Sequence, residues 1–276
     1  MNSHAWQAVF LGLIQGLTEF LPVSSSGHLA IAQSLLPGFR QPGILLDVLL
    51  HFGTLIAVLL YFYRDLKALA KNLVSTESDY DPGASGWRLI FGIVAASIPT
   101  AIIGLLLEER VEQWFESLPA TGAGFLGTAV LLALGDWASR RNREGYPAMD
   151  PGPGQSLLIG VFQGLAVIPA LSRSGATIGV GLLCGVDGVK AARFSFLLSI
   201  PAVAGATALT VLKHLDDIRV AESGELWGYA LGTVVAGVVG YLCIGLMMRV
   251  MKRSRLIYFA GYCALVGVAV LAAGLR

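Results

Sequence analysis

The stretches LPVSSSGH (21–28) and IPALSRSG (168–175) decide the fold, because each one breaks a long apolar run in its middle. The two runs cover about 5–35 and 155–186, and neither half of either run is long enough to cross a bilayer. Irregular backbone is tolerated at membrane depth only inside protein or along a wet cavity. Both runs are therefore predicted to form re-entrant helical hairpins with Pro, Ser and Gly at their tips.

The composition is that of a membrane protein. Of the 276 residues, 55% are hydrophobic and 13% are charged, whereas an average soluble domain carries about 25% charged residues. Six further apolar runs have the length of a transmembrane helix, at about 44–63, 87–107, 119–138, 190–211, 227–248 and 256–275. We predict an all-α integral membrane fold with six transmembrane helices plus the two re-entrant hairpins. Secreted enzymes and single-span anchors are excluded, and the net charge of +1 excludes a nucleic-acid partner.

The two halves of the chain form an internal repeat. A shift of about 148 residues aligns Gln15-Gly16-Leu17 with Gln163-Gly164-Leu165, and Ser24–Gly27 with Ser172–Gly175. Repeat 1 covers about 1–140 and repeat 2 about 150–276, and together they form a single polytopic domain. Because each repeat has one hairpin and three spans, the second repeat must be inverted relative to the first. The hairpin tips are expected to meet near the membrane midplane.

Loop charges predict the orientation of the spans. The loops after the first, third and fifth spans are basic: Arg64, Lys67 and Lys71; Arg140, Arg141 and Arg143; Arg249, Lys252, Arg253 and Arg255. The loops after the second and fourth spans are acidic: Glu108, Glu109, Glu112 and Glu116; Asp216, Asp217, Glu222 and Glu225. The basic loops are expected to be cytoplasmic, which puts both termini outside and lets the first hairpin enter from the outer face.

Ionisable residues at membrane depth are costly and indicate function. Glu19 and His28 belong to the first hairpin, and Arg173 belongs to the second. The corresponding positions of the other repeat carry no such group: Val167, Ala176 and Ser25. An arginine between serines at the start of a helix can bind two phosphate oxygens at once, and helix N-termini favour anions. One repeat thus carries the acid–base groups and the other carries the cation. This arrangement indicates chemistry on a phosphate.

Each candidate also has a structural explanation. Arg173 and Glu19 can form an ion pair that only joins the repeats, and Glu19 can instead cap a hairpin loop. The serines can satisfy loop backbone, and His28 can be an ordinary hydrogen-bonded helix residue. Asp47 and His51 lie one turn apart on the first span. They either contact the residues that bind the phosphate or a metal, or they only pair with each other.

Longer segments resemble a known family: QGLTEFLPVSSSGHLA (15–30), LDVLLHFGTLIAVLLYFYRDL (46–66), and PALSRSGATIGVGLL (169–183) followed by ARFSFLLSIPA (192–202). They are similar to the bacterial undecaprenyl-diphosphate phosphatases of the bacitracin-resistance type, over nearly the whole chain. Gln15 and Glu19 match the family pattern of Glu or Gln, three residues, then Glu. Ser24 to His28 matches its serine–glycine–histidine stretch. Pro169 to Ser174 matches its Pro-Gly-x-Ser-Arg-Ser stretch, with Ala170 in place of the glycine.

This resemblance implies an enzyme of the bacterial inner membrane that hydrolyses undecaprenyl diphosphate to undecaprenyl phosphate and inorganic phosphate, aided by Mg²⁺ or Ca²⁺. It implies a site that opens to the outer face, recycles the lipid carrier for peptidoglycan synthesis and gives bacitracin resistance. The expected partners are a polyprenyl diphosphate and membrane lipid, with a homodimer left open as the oligomeric state. The alternative function is a lipid-phosphate or anion transporter built on the same inverted repeats.

Phosphoanhydride hydrolysis needs charge neutralisation, a nucleophile and a proton handler. Ser25 is expected to be the nucleophile with His28 as its base, and Glu19 either holds the cation or orients His28. The alternative has His28 as the nucleophile, or as a base for water, with Ser25 only binding phosphate. The expected phosphate-binding groups are Arg173, Ser172, Ser174, Ser24, Ser26 and the backbone N–H groups of 174–176. The expected supporting residues are Gln15, Thr177, Asp47 and His51.

Cysteine labelling tests the predicted orientation. A cysteine at Glu112 should react with a membrane-impermeant reagent from outside, and a cysteine at Arg141 should react only after permeabilisation, because positive loops stay cytoplasmic. The unsubstituted chain, whose three cysteines lie in apolar stretches, is the control. Reversed labelling would move the entry of the first hairpin to the cytoplasmic face.

Overall fold

The chain is all-helical in a computed structural model that describes residues 3–36, 45–74, 85–115, 117–141, 149–213, 223–252 and 255–274. These residues contain eleven α-helices and no strand, which confirms the predicted all-α class. The helices are α1 (Ser3–Phe20), α2 (Ser25–Leu35), α3 (Leu45–Tyr61), α4 (Tyr63–Val74), α5 (Ser85–Phe115), α6 (Leu118–Arg141), α7 (Pro153–Leu165), α8 (Arg173–Leu183), α9 (Gly188–Lys213), α10 (Ser223–Met251) and α11 (Ile257–Gly274).

Five helices of the described chain are long and apolar enough to cross a membrane. They are α5, α6, α9, α10 and α11, with apolar segments at Gly86–Leu107, Leu118–Arg141, Gly188–Lys213, Leu226–Met251 and Ile257–Gly274. The remaining predicted span, 44–63, corresponds to α3, which bends by 67° into α4. The described residues therefore hold five spans, or the predicted six when this bent pair is counted as one.

The short helix α4 has two different sides. Leu66 and Leu69 pack against the core, and the exposed basic residues are Arg64, Lys67 and Lys71. Arg193 of α9 holds the helix in place, because its Nη2 lies 2.6 Å from Asp65 Oδ1. An apolar side opposite a basic side is typical of a helix that lies along a membrane surface.

Both predicted hairpins are helix–loop–helix units. Residues 21–24 separate α1 from α2, and residues 166–172 separate α7 from α8. With 11, 13 and 11 residues, α2, α7 and α8 are too short to cross a hydrocarbon core of about 30 Å. Ser24 Oγ accepts the N–H of Gly27, and Ser172 Oγ accepts the N–H of Gly175. Repeat-related serines therefore cap the N-termini of both half-helices.

The first helix of each hairpin packs against a helix of the other repeat. The first hairpin helix, α1, lies against α10, and its counterpart α7 lies against α5. Gly12 faces Gly232 at the first contact, and Gly160 faces Ala96 at the second; a Cβ on Gly12 or Gly160 would overlap the facing carbonyl oxygen. Gly12 and Gly160 occupy the same position in the repeat, so the internal similarity extends to the packing. The inverted orientation of the repeats stays a prediction.

Part of the loop-charge prediction lies outside the described residues. This holds for Arg143, Glu116, Asp216, Asp217, Glu222 and Arg253, and for the side chains of Glu108, Glu109, Glu112 and Glu225. The described basic residues at the ends of α6 and α10, Arg140, Arg141, Arg249 and Lys252, are exposed.

Asp136, near the end of α6, caps α11 across the molecule. Its Oδ1 accepts the backbone N–H groups of Leu256 at 2.9 Å and of Ile257 at 3.3 Å. Its Oδ2 accepts from Arg140 Nε at 2.6 Å. Asp136 is buried, whereas the Arg140 side chain is mostly exposed. The carboxylate therefore joins the third spans of the two repeats.

Replacing Asp136 by alanine should lower the free energy of unfolding by about 1–3 kcal/mol, because the amides at the start of α11 lose their acceptor. The measurement is denaturant unfolding of the purified chain in detergent. The control is Arg140→Gln, which removes only a solvent-exposed ion pair and should cost less than about 1 kcal/mol. Equal losses in the two variants would assign the stabilisation to the ion pair and not to the cap.

Candidate active site

The tips of the two hairpins are in contact, as predicted. Ser174 Oγ donates to the carbonyl oxygen of Leu21 at 3.2 Å. Gly27 faces Ala170 so closely that a Cβ on Gly27 would lie 2.8 Å from the Ala170 methyl carbon. The two loops therefore meet at one place inside the helix bundle.

Helix α6 supports the second tip. Thr128 Oγ1 accepts the N–H of Ser172 at 2.8 Å and lies 3.1 Å from the carbonyl oxygen of Ala170. A Cβ on Gly124 would overlap the carbonyl oxygen of Pro169, so only glycine lets α6 approach the loop. Ala170 has φ 60°, a left-handed conformation that favours glycine, and this position is a glycine in the family pattern that the sequence resembles.

A single buried carboxylate, that of Glu19, joins the two tips. Its Oε1 accepts from Arg173 Nη2 at 2.5 Å. Its Oε2 accepts from Ser25 Oγ at 2.5 Å and from Gln15 Nε2 at 3.1 Å. Ser25 and Arg173 are the first residues of α2 and α8 and correspond to each other in the repeat. The ion pair that the sequence left as an alternative therefore exists, and the serine hydroxyl shares its carboxylate.

Arg173 keeps one nitrogen unpaired. In the described structure its Nη1 is buried without a hydrogen-bond partner, while Nη2 is bonded to Glu19. A buried N–H group without an acceptor costs about 1–3 kcal/mol. This arrangement favours an incoming acceptor, and the planar donors of a guanidinium match phosphate oxygens.

The groups that flank Arg173 are largely occupied by their own loop. Ser172 Oγ accepts the N–H of Gly175 and lies 3.2 Å from Ser174 Oγ. The N–H of Ala176 donates to the carbonyl oxygen of Ser172 at 2.8 Å. Two of the three amides predicted to bind phosphate, those of Gly175 and Ala176, are therefore engaged in the cap and the helix. The N–H groups of Arg173 and Ser174 have no acceptor within the helix, because they belong to its first turn.

The serines of the first tip have different partners. Ser24 has φ 70°, caps α2, and lies with its Oγ 3.2 Å from Ser26 Oγ. Ser24 Oγ therefore satisfies a backbone N–H of its own loop. Ser25 differs, because its hydroxyl is bonded to a carboxylate. A hydroxyl in that position can lose its proton to its neighbour.

His28 is bonded to Tyr262 of α11 and not to Ser25. Its Nδ1 lies 2.7 Å from the carbonyl oxygen of Ser24 and must carry a proton there, because a carbonyl only accepts. Its Nε2 then accepts from the Tyr262 hydroxyl at 2.6 Å. The two rings stack at 5.6 Å and 9°, and Phe125 lies edge-on to the imidazole. The ring is fixed with Nε2 as its basic nitrogen.

Tyr262 was not found by sequence reasoning. A tyrosine inside an apolar span carries no motif, and its partner His28 is 234 residues away along the chain. Ser195 of α9 was missed for the same reason. Its Oγ lies 2.6 Å from Thr177 Oγ1, which donates to the carbonyl oxygen of Arg173 at 2.8 Å. Thr177 therefore supports the helix turn that presents Arg173.

The His51 ring bonds within its own helix, whereas the Asp47 carboxylate bonds to α2. His51 Nδ1 donates to the carbonyl oxygen of Asp47 at 2.8 Å, and Asp47 Oδ1 accepts from Gln33 Nε2 at 3.3 Å. His51 also lies within electrostatic range of Glu19. The pair therefore stands beside the site and does not enter the contact between the tips.

Oxygen ligands for a hard divalent cation are present at Glu19 and Gln15. No group of three or more His, Cys, Asp and Glu that could hold a metal occurs among the described residues. Gln15 Oε1 is buried without a hydrogen-bond partner, and its amide already contacts the Glu19 carboxylate. Mg²⁺ is often held by one or two protein oxygens together with substrate phosphates. These two residues fit a cation that binds together with a phosphate ligand.

Known proteins resemble this chain over nearly its whole length. A family model described as bacitracin resistance protein BacA matches residues 8–269. Its relatives include several named undecaprenyl-diphosphatase, of which three are described. The one from Desulfosudis oleivorans is 43% identical, with 98% of both chains covered. The one from Syntrophotalea carbinolica is 45% identical, covering 94% of this chain and 95% of the relative. The one from Geobacter metallireducens is 44% identical, with 96% of both chains covered.

Proposed function

The chain belongs to the bacitracin resistance protein BacA family, and from that premise we propose that it hydrolyses undecaprenyl diphosphate to undecaprenyl phosphate and inorganic phosphate. One observation carries the proposal. Where the hairpin tips meet, a buried guanidinium nitrogen of Arg173 has no acceptor, and beside it a carboxylate holds the hydroxyl of Ser25. A diphosphate supplies the missing acceptor and a phosphorus atom that the hydroxyl can attack.

The first step of the reaction is attack on the terminal phosphorus. Ser25 Oγ forms a bond to that phosphorus, the bond from phosphorus to the bridging oxygen breaks, and undecaprenyl phosphate leaves. The serine proton passes to Glu19 Oε2, which already accepts the hydroxyl's hydrogen bond at 2.5 Å. This geometry favours Glu19 over His28 as the proton acceptor for Ser25. Arg173 and the first-turn N–H groups of α2 and α8 neutralise the charge on the transferring phosphoryl group.

The second step regenerates the serine. Water attacks the phosphoserine, the bond between Ser25 Oγ and phosphorus breaks, Glu19 Oε2 returns its proton to Ser25 Oγ, and inorganic phosphate is released. His28 Nε2 takes the proton of the attacking water once the Tyr262 hydroxyl gives up its hydrogen bond to this nitrogen. The stacked Tyr262 ring and the bond from Nδ1 to Ser24 hold the imidazole in orientation.

A divalent cation, Mg²⁺ or Ca²⁺, is part of the proposal. Glu19 and Gln15 are the residues that would hold it beside the bound phosphate. When bound, it adds positive charge beside the phosphoryl group. The guanidinium of Arg173 and the N-terminus of α8 act on the same charge from the side of the second hairpin.

We place the protein in the bacterial inner membrane, with both termini outside and the site open to the outer face. The exposed basic residues at the ends of α6 and α10 and along α4 support this orientation. In that position the reaction recycles the lipid carrier for peptidoglycan synthesis and gives resistance to bacitracin. A homodimer stays a prediction.

Phosphate release in detergent tests the function, because a transporter without hydrolytic activity would release none. The unsubstituted chain should release phosphate from undecaprenyl diphosphate, and Arg173→Lys should lose at least about tenfold, or 1.4 kcal/mol of transition-state stabilisation. An ammonium keeps the charge but cannot reproduce the planar fork of donors. The control is Arg141→Lys at the end of α6, where the exposed guanidinium stacks on Trp137. Near-normal turnover of Arg173→Lys would reduce Arg173 to a strut between the repeats.

Ser25→Ala should lower the rate of phosphate release by at least about 100-fold, because the nucleophile is gone. The matched control is Ser34→Ala on the same helix, whose hydroxyl only donates to the carbonyl oxygen of Ile31. In rapidly quenched His28→Ala, phosphate should accumulate on the peptide that contains Ser25, as measured by mass spectrometry. If Ser25→Ala keeps more than about a tenth of the rate, Ser25 only binds phosphate and His28 becomes the nucleophile or the base for water.

A further inference from the structure

A cavity of about 390 Å³ lies beside the bend between α3 and α4, and none of its lining residues belongs to the active site. Its wall includes Tyr61, three residues in the last three turns of α10, namely Tyr241, Gly245 and Arg249, and Lys252, which directly follows that helix. Its volume is within the range of pockets that hold small ligands. The proposed reaction makes no use of it.

The inner wall of the cavity is aromatic and apolar. The rings of Tyr61 and Tyr241 meet edge to face at 5.3 Å. Gly245 has no side chain to occupy the space beside the Tyr61 ring, where a Cβ would lie 3.6 Å from a ring carbon. Apolar side chains of α10 complete the wall. Such a surface accepts a glycerol backbone or the start of an acyl chain.

The rim of the cavity is cationic. Arg249 and Lys252 are exposed, and neither forms an ion pair with another described residue. They lie where the apolar segment Leu226–Met251 ends, which is the depth of a membrane surface. Tyrosines are enriched at that depth. Two cations one turn apart, above an apolar wall, complement a group that is anionic at one end and apolar at the other.

We propose that this cavity binds the headgroup of an anionic glycerophospholipid from the surrounding membrane. The phosphodiester lies between Arg249 and Lys252, and the glycerol backbone lies against Tyr61 and Tyr241. A free phosphate ion matches the two cations but leaves the aromatic wall uncovered. A zwitterionic lipid brings a second positive charge to a rim that is already positive. Binding is independent of the phosphatase reaction, so it can fail while the proposed function stands.

The test measures lipid binding to the purified full chain in neutral detergent by isothermal titration calorimetry. The probes are dioctanoyl phosphatidylglycerol, dioctanoyl phosphatidylcholine, inorganic phosphate and farnesyl monophosphate. The unsubstituted chain should bind phosphatidylglycerol at least about tenfold more tightly than phosphatidylcholine or inorganic phosphate, one decade of affinity being about 1.4 kcal/mol. The double variant Arg249→Gln/Lys252→Gln should lose at least that factor. Each variant's phosphate release from undecaprenyl diphosphate, expected within about twofold of normal, shows that it is folded.

Two matched pairs separate the cavity from general surface charge. Arg64→Gln/Lys67→Gln removes the same charge from α4, outside the cavity, and should leave phosphatidylglycerol binding within about twofold. Gly245→Leu should abolish binding because it fills the cavity without changing charge, whereas Gly245→Ala should keep it. Equal loss in the α4 variant, equal binding of phosphatidylcholine, or full binding by Gly245→Leu would overturn the proposal. Displacement of phosphatidylglycerol by farnesyl monophosphate would overturn it in favour of a prenyl phosphate.

Discussion

The buried carboxylate of Glu19 is the group on which the site depends. A charge at membrane depth needs partners, and Glu19 receives them from the start of each half-helix, Ser25 and Arg173, and from Gln15. The contact with Arg173 forms only when both hairpin tips meet, so the carboxylate also holds the repeats together. Removing one member of a buried pair leaves the other charge uncompensated, at a cost of about 3–5 kcal/mol. The structural and chemical roles of Glu19 therefore belong to one carboxylate, whose Oε1 forms the ion pair with Arg173 and whose Oε2 accepts from Ser25.

The backbone of the two repeats is similar, and their side chains divide the chemistry. In both hairpins a serine, Ser24 or Ser172, caps the N-terminus of the second helix. In both, a glycine of the first helix packs closely against a helix of the other repeat. The residue after each capping serine therefore occupies the same position in its own hairpin. In one repeat that residue is Ser25, and in the other it is Arg173. A duplicated scaffold thus brings a hydroxyl and a guanidinium to one carboxylate from opposite hairpins.

The sequence predicted the spans, the hairpins and the meeting of their tips, because apolar length and Pro, Ser and Gly interruptions are local signals. It did not predict contacts that depend on how distant side chains turn. His28 is bonded to Tyr262, and Asp136 caps α11 from 120 residues away. The bend after α3 was missed as well, because the residues there include no proline or glycine and the Arg193–Asp65 pair that holds α4 spans 128 residues. The nearness of His28 to Ser25 in sequence suggested a pair, whereas the helix start turns the Ser25 hydroxyl toward Glu19.

The same ion pair can couple proton transfer to phosphate binding. In the structure, Glu19 occupies Nη2 of Arg173 and leaves Nη1 free, so a phosphate oxygen can bind without breaking the pair. In the proposed first step, Glu19 gains the serine proton and becomes neutral. A neutral carboxyl group holds a guanidinium far less strongly than a carboxylate does, because the charge-assisted bond is lost. Arg173 is then released toward the phosphoryl group at the moment when negative charge develops there. Stabilisation that grows toward the transition state is the kind that raises the catalytic rate.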